Sequence, residues 1–133
     1  MESLKNYTKV FYVGSAWNFI IAASLFVMTP TLHKEVGIAP PLYPMFIYFN
    51  IMSIFFFGCM QWMVARNIGG SRPIAKLLMW AKFGMVVLFG YSIYMSAPPQ
   101  ELVMFLLPGM VIDTLFGFIF WRFLVFSRAK LAT

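Results

Sequence analysis

Residues 102–126 read LVMFLLPGMVIDTLFGFIFWRFLVF and carry only two charged side chains, Asp113 and Arg122. An apolar run of this length can cross a hydrocarbon core of about 30 Å as a helix. It is too long for a membrane strand, and a backbone in lipid must satisfy its own hydrogen bonds. The stretch therefore predicts a transmembrane helix.

Three more apolar runs precede this one, at Val10–Thr29, Leu42–Ala65 and Ile74–Ser96. The connections between the runs are short, so sequence neighbours must run antiparallel. The first run is longer than the apolar region of a signal peptide, about 7–15 residues, and is expected to be retained. The sequence predicts an all-α integral membrane protein: one domain, residues 1–133, with four transmembrane helices in an up-down-up-down bundle.

The composition indicates that lipid is part of the solvent. Of the 133 residues, 62% are hydrophobic and 11% are charged, whereas soluble domains average about 45–50% and about 25%. A soluble chain this small could not hide so much apolar surface from water. The net charge of +6 does not indicate nucleic-acid binding, because the basic residues sit at the ends of the apolar runs.

Lysine and arginine are distributed unevenly between the two sides of the predicted bundle. The side that holds the termini and the middle connection has Lys5, Lys9, Arg66, Arg72, Lys76, Arg122, Arg128 and Lys130. The opposite side has one basic residue, Lys34, together with Glu35 and Glu101. The positive-inside rule predicts both termini in the cytoplasm, and the expected location is the cytoplasmic membrane of a bacterium.

Asp113 is the most informative polar residue, because a carboxylate near the middle of a span must pair, take a proton or face water. Gly109 and Gly117 lie four residues to either side of it, on the same helix face. Small residues at this spacing let another helix approach closely. We expect Asp113 to point into a tight helix contact.

The other runs also combine small and polar residues on one face. The first has Gly14, Asn18 and Ala22, the second has Asn50, Gly58 and Gln61, and the third has Lys82 and Gly90. We expect the four faces to meet inside the bundle, where the small residues form helix contacts. Two readings stay open: Asp113, Lys82, Asn18, Asn50 and Gln61 line a ligand or proton pathway, or they only form hydrogen bonds between helices.

Depth along the helices bears on which groups meet. At about 1.5 Å per residue, Lys82 lies about 9 Å above Lys76, and Asp113 lies about 20 Å above Phe126. The Cα atoms of Lys82 and Asp113 then differ in height by about 10 Å. This estimate predicts that they pair directly only with helix tilt or a bridging water, that Lys82 snorkels to the cytoplasmic face, and that Asn18 or Asn50 is the better partner for Asp113.

The inventory of reactive side chains is poor. His33 is the only histidine and Cys59 the only cysteine, so a bis-histidine haem, a His-rich metal site and a dithiol redox centre are excluded. No phosphate loop, nucleophile elbow, metalloprotease motif or calcium loop appears. The expectation is a protein that is not an enzyme and has no catalytic residue, metal or cofactor.

Three functions fit these features. The first is a non-catalytic membrane subunit that packs against other membrane proteins in a larger complex. The second is a small transporter or channel that works as a homo-oligomer and uses Asp113 as its protonatable group. The third is a binder of a lipid-soluble ligand, such as a quinone or a pigment, between the helices. In each case the lipid bilayer is the expected environment.

Overall fold

The computed structural model describes residues 3–35 and 44–131. This part of the chain forms four helices and no strand. The helices are α1 (Leu4–Glu35), α2 (Met45–Arg66), α3 (Arg72–Ser96) and α4 (Gln100–Leu131). Four helices were expected, and each is long and apolar enough to cross a membrane, so the all-α prediction is confirmed. The predicted start of the second run at Leu42 and the side chains of His33 and Lys130 lie outside the described part.

The first and last helices are longer than the apolar runs that predicted them. α1 begins six residues before Val10, and α4 ends five residues after Phe126. The added turns carry exposed charged side chains such as Lys5 and Arg128, and the backbone continues its helical hydrogen bonds through them. Hydropathy marks only the apolar part of a helix, so it missed these ends.

Two short connections turn the chain back on itself. After α2, the Gly70 N–H donates to Asn67 Oδ1 at 3.1 Å and the Ser71 N–H donates to the Asn67 carbonyl at 3.0 Å. A Cβ on Gly70 would lie 2.6 Å from Asn67 Nδ2, so a side chain there would displace the Asn67 amide. α3 ends at Ser96, and the next residue, Ala97, caps it with a φ of 40° in the left-handed region.

The bundle is built from two hairpins. α1 packs along α2, where the Ser15 hydroxyl donates to the Gly58 carbonyl at 2.8 Å. A Cβ on Gly58 would lie 2.7 Å from the Phe19 ring, so glycine permits this close approach. α3 packs along α4 in the same way, with Gly117 against the Phe83 ring.

The hairpins meet mainly at one end of the bundle. We call it the inner end: the first turns of α1 and α3 and the last turns of α2 and α4. Phe11 stacks on Phe120 with ring centroids 4.7 Å apart, and it meets Phe123 edge to face at 5.2 Å. All four helices contribute to this core, whose buried members are Tyr7, Phe11, Val64, Ala65, Ala75, Leu78, Met79, Phe120 and Phe123.

The opposite, outer half of the second hairpin is uncovered. Between Phe83 and Phe116, no described side chain is buried. Gly90 and Gly109 are exposed, with open space where a Cβ would be. Both were expected to form helix contacts, and this expectation is wrong because the first hairpin does not cover this part of α3 and α4. The other small residues of that set, Gly14, Ala22, Gly58 and Gly117, are buried.

Candidate polar site in the bundle interior

The charged pair inside the bundle joins α3 to α4. Lys82 Nζ lies 2.5 Å from Asp113 Oδ1, and the two side chains are only 7% and 19% exposed. The ammonium donates a hydrogen bond to the carboxylate, so each charge is neutralised by the other. Two predictions are therefore wrong. Lys82 does not snorkel to the cytoplasmic face, and Asp113 pairs with Lys82 and not with Asn18 or Asn50.

The relative heights of residues on α3 and α4 explain why the Lys82–Asp113 pair was not predicted. Arg72 Nη2 donates to the Leu124 carbonyl at 3.2 Å, so these two positions are close in height. Lys82 lies ten residues beyond Arg72, and Asp113 lies eleven residues before Leu124, or about 15 and 16 Å along their helices. The two charged residues are therefore level. The depth estimate took Lys76 and Phe126 as its common level, and they are not level.

A ladder of contacts between α1 and α4 places Asn18 at the same height. In order from the inner end, the contacting pairs are Tyr7–Phe123, Phe11–Phe120 and Gly14–Phe116. Each step moves three or four residues along both helices, so the members of each row share one helix face. One further step at the same spacing would bring Asn18 to the height of Asp113. Asn18 is 4% exposed, and its Nδ2 has no hydrogen-bond partner among the described residues.

Gln61 lies one turn closer to the inner end. It is fully buried, and neither Oε1 nor Nε2 has a partner within the described part of the chain. Its Oε1 would lie 2.5 Å from a Cβ on Gly14, and the Phe116 ring would lie 3.0 Å from that Cβ. The missing side chain of Gly14 thus makes room for Gln61 between α1, α2 and α4.

Asn50 does not join this group. It is exposed, although it shares a helix face with Gln61, eleven residues away. That spacing puts it about 16 Å farther toward the outer end, where the second hairpin does not cover α2. Its expected place in the interior is therefore wrong, and four of the five candidates remain: Asn18, Gln61, Lys82 and Asp113.

We call these four residues the polar layer. They lie between the packed inner end and the uncovered outer half of the bundle. Toward the inner end, the rings of Phe11, Phe120 and Phe123 close the interior. Toward the outer end, α3 and α4 have no buried residue up to their connection among those described. Asp113 is the more exposed partner of its ion pair, so the layer is closed on one side and more open on the other.

Two residues that form hydrogen bonds between helices were not recognised from the sequence. Arg72 bonds across from α3 to the Leu124 carbonyl of α4, and Ser15 bonds across from α1 to the Gly58 carbonyl of α2. The aromatic ladder on α4 has a detectable signal, because Phe116, Phe120 and Phe123 recur at helical spacing. No such signal marks Arg72, which reads from the sequence only as a topology charge.

Across residues 3–35 and 44–131, no group of three His, Cys, Asp or Glu side chains is placed to hold an ion. Comparison of the chain with protein-family models, curated proteins and solved structures finds no match.

Proposed function

We propose that the chain is a multi-pass membrane protein that acts as a non-catalytic subunit of a larger membrane complex. Its helices cross the bilayer up-down-up-down, with both termini and the inner end on the cytoplasmic side. The basic residues of the inner end support this orientation, because cytoplasmic segments carry an excess of Lys and Arg.

The observation that carries the proposal is the uncovered outer half of α3 and α4. In the most apolar 18-residue stretch of α4, 6% of the residues are buried, against 22–28% in the other three helices. Gly84, Gly90 and Gly109 are open on this surface. Small residues let a further helix approach closely and gain packing energy that fluid lipid does not supply. Helices of a partner protein fit this surface.

The experiment is purification from the native membrane in a mild detergent, followed by identification of whatever remains bound. Stoichiometric partner proteins are the expected result. A lone homo-oligomer that retains no other polypeptide would contradict the subunit proposal. It would instead favour the second candidate below.

The second candidate is a small proton-coupled carrier centred on Asp113, and the buried Lys82–Asp113 pair favours it. Protonation of Asp113 would release Lys82, and a substrate could then use either group. The test compares proton-coupled flux in vesicles for Asp113→Asn and Asn50→Leu. A carrier loses flux only in the first variant, because Asn50 is exposed outside the polar layer. Unchanged flux in Asp113→Asn removes this candidate.

A further inference from the structure

The inner end of the bundle is strongly cationic. Its basic residues within the described part are Lys5, Lys9, Arg66, Arg72, Lys76, Arg122 and Arg128. The acidic residues of that part lie elsewhere: Glu35 and Glu101 are near the outer end, and Asp113 is paired inside the bundle. In the described part of the chain, Lys5, Lys9, Arg66, Arg72, Lys76 and Arg128 form no ion pair with a carboxylate.

Three of these cations line the seam between α3 and α4. Arg72 is anchored there by its bond to the Leu124 carbonyl, and its Nε is enclosed without an acceptor among the described residues. Lys76 lies one turn along α3 from Arg72, and Arg128 lies one turn along α4 from Leu124. The first turn of α3 has no acidic side chain. The partial positive charge of its N-terminus therefore adds to the repulsion.

Exposed aromatic and aliphatic side chains continue the same two stripes toward the bundle centre. On α3, Trp80 follows Lys76 by one turn, and on α4, Val125 and Trp121 follow Arg128 at helical spacing. All three are more than half exposed. A soluble anion would use only the cations, whereas a phospholipid has a phosphate for the cations and acyl chains for the apolar stripe.

We propose that this seam, Arg72, Lys76 and Arg128 with the adjoining Trp80 and Trp121, binds anionic phospholipid. The headgroup phosphate lies among the three cations, and the acyl chains run along the apolar stripes. The inference goes beyond the proposed subunit role but rests on its membrane insertion. An anionic headgroup also relieves the repulsion among the basic groups of the seam.

The test uses brominated lipids, which quench nearby tryptophan fluorescence. The protein carries Trp17→Phe and Trp62→Phe so that Trp80 and Trp121 report alone, and it is reconstituted in phosphatidylcholine vesicles. Insertion is first verified by resistance to carbonate extraction. Brominated phosphatidylglycerol is then titrated against brominated phosphatidylcholine. Preferential quenching by the anionic lipid is expected. Equal quenching by both lipids, in protein that has inserted, overturns this inference and leaves the subunit proposal standing; failure to insert counts against both.

Matched variants locate the site. Arg72→Gln/Lys76→Gln/Arg128→Gln is compared with Lys5→Gln/Lys9→Gln/Arg66→Gln, which removes equal charge from the same end. The preference for anionic lipid should fall about fivefold per seam cation removed and should fall less in the control, because Lys5, Lys9 and Arg66 lie outside the seam. Lys76→Gln/Arg128→Gln keeps the Arg72 anchor and should show part of the loss. Equal losses in both triple variants, or displacement by inorganic phosphate, overturn the lipid site.

Discussion

Lys82 and Asp113 approach to 2.5 Å inside the bundle, and nearer the inner end Arg72 bonds to the Leu124 carbonyl across the same two helices. Breaking such a pair leaves one uncompensated charge in a low-dielectric interior, whereas replacing both partners removes the problem. Lys82→Met and Asp113→Leu should each lower the free energy of unfolding by about 3 kcal/mol. The double variant Lys82→Met/Asp113→Leu should lose less free energy of unfolding than either single variant.

Denaturant unfolding in detergent, followed by circular dichroism, measures this double-mutant cycle. Additive losses in the double variant would show that the two side chains do not interact in the folded protein. Arg72→Gln provides a further comparison, since it removes a hydrogen bond between α3 and α4 near the inner end. Arg72→Gln should lower the free energy of unfolding by less than either single substitution at Lys82 or Asp113.

Gly14 leaves the space that Gln61 occupies. A side chain at this position would meet Gln61 Oε1 at 2.5 Å and the Phe116 ring at 3.0 Å, so Gly14→Val should lower the free energy of unfolding by about 1–3 kcal/mol. Gly109→Ala is the matched control, because nothing lies within 4 Å of its added Cβ. The control should be neutral or should stabilise α4 by up to about 1 kcal/mol. Equal losses at the two glycines would contradict the assigned packing.

Ser15 and Ser53 offer a second matched pair. The Ser15 hydroxyl is buried and bonds across to Gly58 on α2, whereas the Ser53 hydroxyl bonds to Phe49 in its own helix. Ser15→Ala should therefore lower the free energy of unfolding by about 1 kcal/mol, and Ser53→Ala should leave it nearly unchanged. A larger loss for Ser53→Ala would show that the contact between α1 and α2 is misplaced.

Gln61 is buried without a hydrogen-bond partner among the described residues for either amide atom. An unpaired buried amide costs free energy that an apolar side chain of similar size does not. Gln61→Leu should keep or raise the free energy of unfolding, by up to about 1 kcal/mol, while Gln61→Ala should lower it by leaving a cavity. A loss of more than about 2 kcal/mol in Gln61→Leu would show that the amide is satisfied in the membrane.

The length of the apolar runs predicted the four helices, because each run is as long as a bilayer is thick. The polar side chains within these runs pointed to Asn18, Gln61, Lys82 and Asp113, because such side chains are conspicuous in an apolar helix. The predicted burial of Asn50, Gly90 and Gly109 was wrong, because they lie on suitable faces but in the outer half of the bundle. A helix face is local information, whereas its burial depends on how far the other hairpin reaches.

The predicted difference in height between Lys82 and Asp113 was wrong for a related reason. Counting residues gives height along one helix, but the offset between two helices is set by contacts such as Arg72 with Leu124. Nothing in the apolar pattern distinguishes Arg72 from the other basic residues near the connection. Hairpin register therefore required the structure.

Site-specific photo-crosslinking in native membranes tests the subunit proposal most directly. A photoreactive residue is placed at Leu88 on α3 or Val111 on α4, both in the uncovered outer half, and at Ile20 on α1 as an equally apolar, exposed control. The proposal predicts a discrete adduct with another polypeptide from Leu88 and Val111 and none from Ile20. Adducts with lipid alone at all three positions, or only with a second copy of this chain, would contradict it.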